Sequence, residues 1–183
     1  VCLVFLLLKK VVLHQYNNFL YFYTMKTIYK LTATALGAGY SPFAPGTMGA
    51  IVGCIALWVF EKYNLVSTTS TPLVFIGLIV ITTILGIIAT DKLEKEWGKD
   101  PSKVVIDEVI GMWITLLFVP LSLLNLIIGF VLFRFFDIAK PLGIRKLEQL
   151  KGGVGVMSDD MLAGIYANIS LQIIVYFISI LKI

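Results

Sequence analysis

Residues 72–90 read PLVFIGLIVITTILGIIAT, nineteen residues without one charged side chain. A helix needs about 20 apolar residues to cross the hydrocarbon core of a bilayer, so this run constrains the fold more than any other segment. In water it would have to be buried all round; in lipid it is a span. The rest of the chain favours lipid. Of 183 residues, 58% are hydrophobic and 14% charged, with a mean hydropathy of +0.93, whereas soluble domains carry about 25% charged residues. Residues 161–181 form a second candidate span. Residues 46–60 are shorter and cross only if tilted, extended or packed inside a bundle. The run 109–133 is interrupted by Pro120, Ser122 and Asn125; proline breaks or kinks a helix, and the segment reads as a hairpin of two helices. The expected fold is all-α, a polytopic membrane protein with about four membrane-embedded helical segments.

The first 24 residues are apolar and aromatic, with Lys9, Lys10 and His14 after the first apolar run. A signal peptide has the reverse order, charge before apolar core. Two readings are open: a segment upstream of a natural start at Met25, or an additional membrane anchor. Residues 25–183 are expected to form one membrane-embedded domain. The net charge of +4 falls to +2 without the leader, so the basic balance gives no reason to expect nucleic acid as a partner; membrane lipid is the better match.

The placement of the few charges carries more information than their number. If 46–60 and 72–90 both cross, and 109–133 crosses and returns, then segments 26–46, 91–108 and 134–160 share one side. They hold nearly every charge in the chain, including Lys26, Lys30, Lys92, Lys95, Lys99, Lys103, Arg134, Lys140, Arg145, Lys146 and Lys151. The positive-inside rule assigns that side to the cytoplasm, so a polar site at the cytoplasmic face is expected.

Four polar clusters lie on that side. GAGYSPFAPGTMG (37–49) is a glycine- and proline-rich turn running into an apolar helix, where exposed backbone N–H groups suit an anion; Gly37, Gly39, Gly46 and Thr47 are the phosphate-facing candidates. The alternative is a structural loop entering a helix capped by Thr47. VVIDEVIGMW (104–113) begins an apolar segment with Asp107 and Glu108, and charges at membrane depth are kept mainly when paired, metal-bound or facing a polar cavity. A helix N-terminus stabilised by acidic residues is the plainer reading. FRFFDIAKP (133–141) sets Arg134, Asp137 and Lys140 at three-residue spacing on one helix face, either a carboxylate among phosphate-binding cations or an interfacial ion-pair ladder. GGVGVMSDDMLAG (152–164) reads as a flexible loop delivering Asp159 and Asp160 to the start of the last span, where Ser158 or Asp159 could cap the helix. Asp160 and Gly164 repeat the spacing of Asp107 and Gly111.

Clustered carboxylates without His or Cys point to a hard cation such as Mg2+. His14 is the sole histidine and lies far from these clusters, and neither Cys2 nor Cys54 has an arginine six positions later, which argues against histidine or cysteine nucleophiles. Together the residues point to a Mg2+-assisted reaction on a phosphorylated lipid at the inner face of the membrane.

At these four motifs, in this order from about Met25 to the C-terminus, the chain resembles the phosphatidylglycerophosphatase A family. The resemblance implies a small helical enzyme of the bacterial inner membrane that uses Mg2+ to remove the terminal phosphate of phosphatidylglycerophosphate, giving phosphatidylglycerol. Carried over by position, Asp107, Glu108, Asp137, Asp159 and Asp160 form the acidic site, with Arg134 and Lys140 beside it and Asp91 as a further acidic member. The expected roles are Mg2+ binding by Asp107, Asp137 and Asp160 with Asp91 as a further ligand, general base from Glu108 or Asp159, and phosphate binding by Arg134 and Lys140. A carboxylate nucleophile stays open. Two rivals remain: a CDP-alcohol-type phosphotransferase, faintly suggested by Asp159, Asp160, Ala163 and Gly164, and a small ion-coupled transporter, whose carboxylates would be expected near mid-span.

Overall fold

Proline and glycine mark where the apolar runs start and stop. In the computed structural model, which describes residues 20–181 apart from 22 and 100, helix α1 (residues 23–33) is followed by a 3-10 turn at Ala38–Tyr40. Helices α2 (Pro45–Lys62) and α3 (Pro72–Trp97) both open on proline, which is tolerated in the first turn because its missing N–H would have no intrahelical partner. Then come α4 (Ile106–Thr115), α5 (Leu123–Ala139), the single turn α6 (Ile144–Leu147) and α7 (Gly152–Leu181). Ser122 caps α5, its hydroxyl accepting the Asn125 N–H at 3.1 Å. Among the described residues there is no strand.

Among the described residues two helices, α3 and α7, are long and apolar enough to cross a membrane by length and composition. Their outward faces, with that of α5, carry Leu73, Ile81, Val131 and Ile173 more than half exposed, an apolar surface unsuited to water. The run 109–133 does not form one span. It divides at Pro120 into α4 and α5, and α4, at ten residues, is about 15 Å long, half the thickness of a bilayer core. The leader-or-anchor reading of residues 1–24 concerns a segment of which residues 1–19 lie outside those described.

Helix α4 is the centre of the bundle: all its residues except Glu108 and Ile114 are buried. On one side it packs against α2 with backbones nearly touching. A Cβ at Gly49 would lie 2.7 Å from the Val105 carbonyl oxygen, and one at Gly53 would lie 3.3 Å from Met112. Small residues permit this approach, as between membrane helices generally. Trp113 seals the seam, its Nε1 donating to the Gly53 carbonyl at 3.1 Å. On the other side α4 runs parallel to α7, with Gly111 against Gly164 and Thr115 level with Asn168. Helices α3 and α5 run the opposite way, since Gly86 meets Met157 and Ile106, and Gly129 meets Leu171 and Leu116. Three helices therefore begin, and two end, at the same end of the bundle.

A helix that stops inside a bundle leaves carbonyls needing donors. Asn168 on α7 supplies them: its Nδ2 donates to Thr115 O at 2.9 Å and to Leu117 O at 2.8 Å. Elsewhere in the turn Asn125 Nδ2 donates to Pro120 O and the Thr68 hydroxyl to Val119 O. Asn168→Leu should lower stability by about 1–3 kcal/mol, the cost of leaving such groups unpaired. A detergent-solubilised melting curve checks this; an unchanged midpoint would remove Asn168 from the account.

Candidate functional site

The end of the bundle where α2, α4 and α7 begin holds a cavity of about 410 Å³. Gly46 reaches it from α2, Thr90 and Glu94 from the last turns of α3, Asp107 and Glu108 from the first turn of α4, Arg134, Asp137 and Lys140 from the end of α5, and Asp159 and Asp160 from α7. Its lining has seven acids and three bases. Such a cavity would repel a phosphate unless cations were bound with it.

The crossing of α4 and α7 brings the carboxylates together. Gly111 and Gly164 face each other, so a Cβ on Gly164 would lie 2.5 Å from the Gly111 carbonyl oxygen. One turn before each glycine stand Asp107 and Asp160, which are therefore neighbours. Asp107, Glu108 and Asp160 each offer an oxygen within 4.8 Å of the others. Asp107 and Asp160 are 8% and 4% exposed, and Asp107 Oδ1 and Glu108 Oε2 are buried without a hydrogen-bond partner, as is Thr90 Oγ1. Buried carboxylate oxygens without donors are costly. A hard divalent cation is the chemistry this donor set fits, because Mg2+ takes oxygen ligands and the cluster contains no nitrogen or sulfur.

Two of the three bases, Arg134 and Lys140, sit beside this group and are held by acids. Arg134 Nη1 lies 2.5 Å from Asp137 Oδ2. Lys140 ends α5 in the left-handed region, φ 45°, and its Nζ donates to Asp159 Oδ2 and to Glu148 Oε1, both at 2.6 Å. Burial opposes the charge on Lys140, but the bonds to Asp159 and Glu148 outweigh it and hold the ammonium above the usual lysine range. Gly46 is the point where α2 meets both groups: a Cβ there would collide with Glu108 Oε1 and lie 3.2 Å from Arg134 Nη1.

Several expectations change in position. Gly37, Gly39 and Thr47 do not line the cavity. Gly37 is a turn residue at φ 102° whose N–H bonds Thr34, and Gly39 is pressed against the Lys103 carbonyl. Ala44, not Thr47, is the residue at which α2 starts, without a side-chain cap. Asp91 is engaged elsewhere: its Oδ1 accepts the Gly153 N–H at 2.6 Å, fixing the start of α7 instead of joining the carboxylate group. Helix α7 begins at Gly152, so residues 152–160 are not a loop, and Ser158 and Asp159 cap nothing. Asp137 is paired with Arg134 and also stands within hydrogen-bond reach of Asp160, while Asp107, Glu108 and Asp160 form the closest group. Thr90, Glu94 and Glu148 also line the cavity and belong to none of the four sequence clusters. Thr90 and Glu94 are four apart and share a face of α3, a usable signal; Glu148 follows a single helical turn and has no pattern to betray it.

The family model described as phosphatidylglycerophosphatase A matches residues 31–175. A protein of Bacteroides thetaiotaomicron, provisionally named a phosphatidylinositol-3-phosphatase, is 49% identical over 146 residues, 78% of this chain and 91% of its own length. The phosphatidylglycerophosphatases A of Escherichia coli and Haemophilus influenzae are 37% and 38% identical, over 77% and 80% of this chain and 80% and 88% of their own. No solved structure matches significantly.

Proposed function

Because the chain belongs to the phosphatidylglycerophosphatase A family, we propose that it is a membrane phosphatase that converts phosphatidylglycerophosphate to phosphatidylglycerol, with Mg2+ held by Asp107, Glu108 and Asp160. The observation that carries this reading is the carboxylate group itself, three oxygens within 4.8 Å, two of its members holding partnerless buried oxygens, with Arg134 and Lys140 in the same cavity. When bound, the ion supplies Lewis-acid neutralisation of charge on the phosphoryl oxygens.

The chain's own residues do the rest. Arg134, oriented by Asp137, and Lys140, oriented by Asp159, receive the phosphoryl oxygens through charge-assisted hydrogen bonds. Of the two candidate bases, Glu108 is assigned to the cation, and Asp159 takes a proton from water as the water oxygen bonds to phosphorus. The phosphorus–oxygen bond to glycerol breaks, the departing oxygen takes the proton that Asp159 received from water, and inorganic phosphate leaves. The cavity accommodates a headgroup; the acyl chains remain among the apolar outer faces of the bundle. We take α3 and α7 as spans and α2 and α5 as further embedded segments, with the cavity at the cytoplasmic face of the bacterial inner membrane, where Lys26, Lys30, Lys99, Arg145 and Lys146 also gather.

The 49% identical relative gives a second reading, phosphatidylinositol 3-phosphate as substrate. Both are tested by phosphate release from the two lipids in detergent, with Mg2+ and with EDTA. Release from phosphatidylglycerophosphate that falls to background in EDTA is the expected result. Faster turnover of phosphatidylinositol 3-phosphate would replace the substrate assignment, and no release from either would return the phosphotransferase and the transporter to consideration.

A further inference from the structure

Lys140 faces two carboxylates at the same distance, 2.6 Å, but the two are not equivalent. Asp159 comes from the core helix α7, with a side chain 9% exposed, whereas the Glu148 side chain is 43% exposed and stands at the cavity edge. Glu148 also belongs to a different kind of backbone. The segment from α5 to α7 is framed by positive φ angles, Lys140 at 45°, Leu142 at 54°, Gly143 at 90° and Gly152 at 65°. It is pinned inward by Ile144, which is fully buried, and by the Tyr166 hydroxyl donating to Leu142 O at 3.3 Å. It is a short strap laid over the rim, carrying one acid that reaches in.

An ammonium has three donors and makes the same charge-assisted bond to a carboxylate oxygen as to a phosphate oxygen. We propose that Glu148 is an internal occupant of the phosphate subsite: it holds Lys140 between turnovers, and the phosphate monoester of the substrate competes with it for the ammonium. The inference rests on the reading of Lys140 as a phosphate-binding residue. Because inorganic phosphate competes for the same donor, Glu148 weakens product binding as much as substrate binding and so favours product release. Glu148 is in this sense a positioning residue, acting through Lys140 and not on the reacting atoms.

The test uses the full chain in detergent, with phosphatidylglycerophosphate as substrate and inorganic phosphate as inhibitor. Glu148→Gln should lower both the KM and the inhibition constant of phosphate by about two- to five-fold, the range set by a half-exposed ion pair, while kcat does not rise. Glu148→Asp should bring both back toward the parent values, which a merely structural role would not predict. In a Lys140→Met background, KM and the phosphate inhibition constant should both be raised, and adding Glu148→Gln should change neither. If Lys140→Met alone changes neither, the phosphate-binding reading of Lys140 fails. If Lys140→Met raises both but Glu148→Gln in the parent chain leaves them unchanged or raises them, that reading stands and the inference about Glu148 is overturned. An equal drop with and without Lys140 would also overturn it, since the acid would then act by bulk charge.

Discussion

Replacing Asp107 with Asn should reduce Mg2+-dependent phosphate release by about 10³-fold or more, the scale expected when several kcal/mol of charge stabilisation at the transition state are lost. The side chain keeps its volume and one oxygen, so the bundle is left intact. Stability should move the other way. In the metal-free chain the Asp107 carboxyl is buried beside Glu108 and Asp160, with Oδ1 unpartnered, and a neutral amide relieves both the repulsion and the desolvation. The melting temperature without metal should therefore be equal to or above that of the parent chain. Mg2+ should raise the midpoint of the parent, as any ligand that binds only the folded state does, and should not raise that of the variant. Near-normal turnover, or a Mg2+-dependent midpoint in Asp107→Asn, would sink the assignment of Asp107 as a ligand.

Much of the architecture can be read from the chain because the bilayer and the backbone allow few solutions. Charges gathered mainly in 26–46, 91–108 and 134–160 suggest that those segments lie together, and they touch: Glu96 pairs with Lys26 and Lys30, Val105 N–H donates to Ala33 O, and Gly153 N–H donates to Asp91. Pro120 marks the break between α4 and α5 for a reason internal to the residue. The α7 start is harder. Glycine costs a helix about 1 kcal/mol relative to alanine, so Gly152, Gly153 and Gly155 argue locally for a loop. Tertiary contact reverses this: a Cβ at Gly153 would lie 2.5 Å from the Ile87 carbonyl oxygen, and one at Gly155 would strike the Leu150 carbonyl. These glycines are there for packing.

The division of labour among the acids was the least legible part. Spacing sets Asp137 on the face of α5 that carries Arg134 and Lys140, but it cannot say whether a cation or another carboxylate will be nearer. That depends on how α4 lies against α7, which sets Glu108 with Asp107 and Asp160 and leaves Asp137 touching both Arg134 and Asp160. Glu148 and Asp91 are further cases. Their partners, Lys140 and the Gly153 N–H, are set by the shape of loops and not by any periodicity.

Gly164→Ala tests whether the contact of α4 with α7 builds the site. The added carbon would lie 2.5 Å from Gly111 O and 3.1 Å from Gly111 Cα, both backbone atoms, so no rotamer change relieves the contact. The helices must separate by roughly 1 Å to reach ordinary van der Waals distance. Overpacking of this kind costs about 1–3 kcal/mol, and the displacement falls one turn from Asp160 and Asp107. A misplacement of about 1 Å can reduce a rate by about 10²-fold, so turnover should drop by that order, together with a weaker Mg2+ dependence of the melting temperature. Gly77 is the control. It lies within α3 with nothing within 4 Å of a Cβ built on it, and Gly77→Ala should leave activity alone and raise stability by about 0.5–1 kcal/mol through helix propensity. The same substitution in two apolar helices would then have opposite signs for a stated geometric reason. Equal midpoints and equal rates in the two variants would mean that α4 and α7 tolerate separation, and that the Asp107–Asp160 proximity does not depend on the glycine pair.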